Sequence, residues 1–173
     1  MSLRRLVSVL IAAPALLGAA AVPASASIAP IPPSPLRCAA VGDVVAKLDS
    51  RVEAIVAEMG ANPNATANPV ATAFNDATAG LPAAPATGCT TDSAAADTVV
   101  RSVFTYVRAV NRFSPTLTPT ISLVVDPSVS NFVYAVQTAS PGTYTDTSNA
   151  ITPEMRGELL QGKYVLTVTA LGF

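Results

Sequence analysis

The chain contains no histidine and no tryptophan, and its only cysteines are Cys38 and Cys89. Without histidine, neither a Ser-His-Asp nor a Cys-His arrangement can activate a nucleophile, and zinc and most other transition metals lose their commonest nitrogen ligand. A glycine-rich phosphate loop and a Gly-x-Ser-x-Gly turn are missing too. Charge is scarce: 12% of residues are Asp, Glu, Lys or Arg, ten basic against eleven acidic. A nucleic-acid partner, which demands a strongly basic surface, is therefore excluded. Glu154 and Glu158, one helical turn apart, read as a solvated face rather than an acid-base couple. The stretch from Asp146 to Glu154 has neither the spacing nor the central glycine of a calcium loop. No catalytic residue, metal or cofactor is expected, and an unrecognised hydrolase ranks last among the readings.

The first residues supply what the composition withholds elsewhere, a long apolar run. Arg4 and Arg5 precede apolar residues from Leu6 to Val22, and Ala24-Ser25-Ala26 offers small residues for cleavage. This is the pattern of a secretory signal peptide over residues 1–26; Pro14 and Gly18 interrupt the run and argue against a retained membrane anchor. Residues 27–37, with four prolines and no apolar period, read as an extended leader or tether. Residues 38–173 then form a single domain. Removing Arg4 and Arg5 leaves eight basic residues against eleven acidic, so the mature chain is mildly acidic. Eight arginines against two lysines, with abundant alanine, point to a GC-rich bacterial genome. In the oxidising compartment that export implies, Cys38 and Cys89 are expected to pair. Closing a loop of about fifty residues is worth roughly 4 kcal/mol by the chain-entropy estimate.

Apolar periodicity predicts helices. From Val41, apolar residues at Val44, Val45, Leu48, Val52, Ile55, Val56 and Met59 recur at three- and four-residue spacing, with Asp43, Lys47, Arg51 and Glu58 opposite and an Asp43 to Lys47 pair one turn apart. A second helix can open at Asn68-Pro69 and present Val70, Ala73, Phe74 and Ala77; a third opens near Thr91 or Asp92 and runs through Arg112. The Cys38–Cys89 bridge puts the first and third helix starts at one end, an up-down-up arrangement. Farther on, Asp126-Pro127 reads as a cap and first turn of a helix with Val129, Phe132, Val133 and Val136 on one face, and Thr152-Pro153-Glu154 as another start. "SPGTYTDTSNA" reads as a loop. "TISLVV" has the composition of a strand, yet Leu117, Ile121, Val124 and Val125 keep helical spacing and the region reads as mostly helical; "YVLTVTALGF" mixes β-branched residues with no clean period, and short strands are admitted there. The expected fold is thus mainly α, a small disulfide-pinned helical bundle with strands admitted only in its C-terminal third.

One stretch stands out as a candidate contact. "RSVFTYVRAVNRFSP" places Arg101, Arg108 and Arg112 within about 40° of one another on a helix. Ala96, Val99, Val100, Val103, Val107 and Val110 define the opposite, buried face, so the stripe points to solvent with Phe104 on one flank and Tyr106 and Phe113 on the other. Asp97 lies one turn before Arg101 and can pair with it, while Arg108 and Arg112 have no acid within a turn. Guanidinium forks suit an anionic envelope component or a protein surface. The sequence therefore leads to a secreted, non-catalytic binding protein of the cell envelope or extracellular space, not an integral membrane protein once the signal is removed. Its alternative is a carrier of a small apolar ligand held between helices.

Overall fold

The computed structural model describes residues 35–60, 62–83, 92–113 and 116–173, with only the backbone at 35–39 and 113. The chain divides after Ile31, and the unit described here is Pro32–Phe173. The expected signal peptide and most of the leader lie outside the described residues, as do the side chains of Cys38 and Cys89 and hence their pairing.

Seven helices occur among the described residues: α1 Pro35–Glu58, α2 Asn64–Gly80, α3 Ser93–Phe113, α4 Thr118–Ala139, α5 Pro141–Ala150, α6 Pro153–Gln161 and α7 Val165–Ala170. The expected apolar face of α1 is buried at Val41, Val45, Leu48, Val52 and Met59, and the chain turns at Gly60 with φ of 45°, a left-handed conformation that glycine adopts without a Cβ penalty. Asp92 caps α3 by accepting from the Ala95 N–H at 3.0 Å. The first three helices run up, down and up. A side chain at Gly42 would stand 3.6 Å from Asp92 Oδ2, and Asp49 bonds Arg101 and Ser102, so α1 and α3 are parallel. Arg51 pairs with Asp76 while Val44 approaches Gly80, so α2 runs the other way.

The second half packs onto this hairpin chiefly through α4. Helix α4 lies along α2, with Phe74 and Phe132 in an edge-to-face contact at 5.6 Å, and α5 fills the space between α3 and α4. The short α6 and α7 close the bundle, α6 against α3 and α7 against α4.

Five expectations are corrected. Helix α1 opens at Pro35, inside the stretch read as leader. Helix α2 opens at Asn64, a turn before Asn68-Pro69, and carries Pro69 in its interior. "TISLVV" is helical, as its spacing indicates, but Asp126-Pro127 is not a helix start: α4 is continuous with Pro127 inside it. Pro127 has no N–H to offer the Leu123 carbonyl, but burial of Ile121, Val125, Val129, Phe132, Val133 and Val136 on one stripe outweighs the lost bond. "SPGTYTDTSNA" is helix α5, not a loop. Its buried face is made of Thr143 and Thr147, which carry no apolar signal; Thr147 donates back to the Thr143 carbonyl at 2.8 Å, and Thr143 pairs with Ser140 at 2.9 Å. Finally, "YVLTVTALGF" holds helix α7, and no strand occurs among the described residues.

Candidate functional site

The arginine stripe exists on α3, but most of it is engaged within the chain. Arg101 Nε donates to Asp49 Oδ2 at 2.8 Å, and Ser102 Oγ donates to Asp49 Oδ1 at 3.0 Å. The Asp49 hydrogen bond holds the Arg101 guanidinium above its ordinary pKa; Asp97, the partner expected from sequence, adds only a weaker field. Asp49 is 5% exposed, and its place four residues after Val45 and three before Val52, on the apolar face, is the sequence signal for a buried carboxylate. Arg108 Nε donates to Glu158 Oε2 at 2.8 Å and its guanidinium stacks over Phe104 at 5.4 Å. Phe104 and Tyr106 are core residues rather than flanks of the stripe. Arg112 is exposed and it too is engaged in an interaction. A docking anion at Arg101 or Arg108 has to compete with carboxylates already in place.

A different surface is unusual. Between Thr116 and Thr152 the only charged residues are Asp126 and Asp146; the first is buried and the second half-buried. From Tyr164 to Phe173 no side chain carries charge. Every large apolar side chain exposed among the described residues falls in this second half: Leu123 at 79%, then Val165, Leu166, Tyr134, Leu160, Val124 and Phe173. The exposed charges of α1 to α3, including Asp43, Lys47, Glu53, Glu58 and Asp97, have no counterpart on α4, α5 or α7.

Helical spacing draws part of this surface into a strip. Leu123, Pro127, Asn131, Tyr134 and Thr138 are all exposed and follow one another at intervals of four, four, three and four along α4. Asp126 brings the start of α7 beside it. Its two carboxylate oxygens accept from the Leu166 N–H and the Thr167 N–H, each at 2.8 Å, and from Thr167 Oγ at 2.6 Å. Tyr164, at the cap position of α7, offers no side-chain bond there, so a carboxylate from α4 caps this helix from across the bundle. Val165 and Leu166 thereby join the flank of α4.

Two further features line or underlie the helices. A groove of about 290 Å³ runs between α1 and α2, floored by Val44, Leu48, Ala73 and Ala77 and crossed by the Arg51–Asp76 pair. Lys47 on its rim enters no ion pair among the described residues, so the Asp43 to Lys47 pair expected from sequence does not form. Inside the bundle, the Tyr164 hydroxyl is fully buried without a hydrogen-bond partner, and desolvation, with smaller contributions from Tyr106 and Asp126, pushes its pKa far up. Tyr106 is also raised by desolvation, partly offset by its 3.4 Å contact with Thr66.

No protein-family model matches the chain, and no curated protein matches its sequence. No described helix is long and apolar enough to cross a membrane.

Proposed function

We propose that this is a non-catalytic binding protein of the bacterial cell envelope or extracellular space, and that it meets its partner through the uncharged flank of α4 and α7. The observation that carries this reading is Leu123, 79% exposed on a helix, α4, none of whose exposed residues carries charge. Monomeric proteins keep such surfaces studded with charge, and a continuous apolar area without it marks an interaction site. Export and envelope residence rest on the signal-peptide pattern of residues 1–26. The arginine stripe is the rival contact on the same molecule. Co-sedimentation of the mature protein with the host's envelope fraction separates the two: Leu123→Glu and Tyr134→Glu should release it, and Arg108→Glu should not. The reverse pattern would move the contact to the stripe.

A second reading has its own observation. The groove between α1 and α2 joins an apolar floor to the unpaired Lys47, a combination suited to a small apolar ligand with an acidic head. Native mass spectrometry of protein from its own host should then show an added mass that Lys47→Glu removes. Protein that is always bare would discard the carrier.

A further inference from the structure

We propose that the α4 strip is the docking site for a second copy of this chain, in a symmetric pair whose twofold axis passes close to Asn131. The inference rests on the reading of the uncharged flank as a contact surface and names the partner.

The first argument is electrostatic. In an isologous pair each surface meets itself, so a charge near the axis faces its own image and repels it. Exposed residues of α4 include Thr120, Leu123, Val124, Asn131, Tyr134, Gln137 and Thr138, none of them charged. Such a strip meets its own copy without repulsion. A membrane surface rewards a different composition, cations set beside the apolar side chains to meet anionic headgroups. From Thr116 to Thr152 the chain has no lysine or arginine at all.

The second argument is the order of side chains along the strip. Two α4 helices packed antiparallel across a twofold at Asn131 place Pro127 against the partner's Tyr134 and Leu123 against the partner's Thr138, because each pair is nearly equidistant from position 131. Ring meets ring, and the threonine methyl meets leucine. At the axis, Asn131 meets the partner's Asn131. An amide is its own complement: the NH2 of one donates to the carbonyl oxygen of the other, and the reverse. A parallel pair also faces Asn131 with its own copy, but it stacks Leu123 on Leu123 and Tyr134 on Tyr134; only the antiparallel arrangement opposes Pro127 to Tyr134 and Leu123 to Thr138.

Sedimentation velocity on the full mature chain over a wide concentration range tests the pair. The expected result is a reversible monomer–dimer equilibrium that Leu123→Glu and Tyr134→Glu each weaken roughly tenfold or more, with helical circular dichroism unchanged because both side chains are exposed. Asn131→Cys should yield a disulfide-linked dimer under mild oxidation, and Gln137→Cys should not. A monomer at every concentration overturns the pairing, as does a dimer indifferent to both glutamate variants. Flotation of the monomer with vesicles of neutral phosphatidylcholine, lost on Leu123→Glu, assigns the strip to lipid and overturns it too. Failure here leaves the flank reading standing if Leu123→Glu still releases the protein from envelope material; if it does not, the flank reading fails as well.

Discussion

Asp126, in the middle of α4, holds Thr167 of α7 through two hydrogen bonds, from the backbone N–H at 2.8 Å and from Oγ at 2.6 Å, although 41 residues separate them. Helix α7 is six residues long, too short to persist alone. Its first turn is completed by a carboxylate from elsewhere, and its dipole is matched by that charge.

Replacing Asp126 by alanine should therefore release the C-terminus. Two backbone N–H groups and a hydroxyl lose a charged acceptor in a buried setting, and a stability loss on the order of 3 kcal/mol is expected. Urea unfolding followed by circular dichroism measures it. Amide exchange should show faster exchange at Leu166 and Thr167 than at core positions of α3.

Tyr164 gives the opposite sign. Its hydroxyl is buried and unpaired, so Tyr164→Phe keeps the ring in place and removes an unsatisfied group; stability should rise by about 1 kcal/mol. The same phenol sets an alkaline limit. Its folded pKa is raised, so its neutral form contributes stability that is fully present below the unfolded value of about 10 and is lost as pH rises beyond it. Thermal melts between neutral pH and strong alkali should show the wild type falling earlier than Tyr164→Phe.

Reversing charge on the arginine stripe should damage the fold unequally. Arg101 answers a buried carboxylate, so Arg101→Glu sets two acids against each other at Asp49 and should lower the melting temperature markedly. Arg108 and Glu158 are both partly exposed, and Arg108→Glu should lower it far less. Differential scanning calorimetry of the two variants checks the order. It also fixes which one is usable in binding experiments, because a binding loss in an unfolding variant says nothing about docking.

Pairing of Cys38 with Cys89 rests on the export read from residues 1–26 alone, since both side chains lie outside the described residues. The mature protein should weigh two hydrogens less than its reduced form. Reduction should cost roughly 4 kcal/mol, the chain-entropy value for a closed loop of about fifty residues.

The helical character of residues 41–58 and 93–112 was legible because burial on one face writes a 3.6-residue period into the sequence, and the start of α6 because Thr152-Pro153-Glu154 is a capping pattern; the parallel course of α1 and α3 was reached only through the expected cysteine bridge and is decided by the packing. Helix α5 was not, because its buried face consists of threonines that are satisfied only by hydrogen bonds back along the helix. Pro69 and Pro127 looked like helix starts, as proline usually is, and only packing against neighbouring helices shows that the chain runs through them. The arginine stripe could be placed on one face from spacing alone. That Asp49 and Glu158 reach it from other helices, and that the flank of α4 is left without charge, follows from which faces are buried against which, a decision that only the assembled bundle makes.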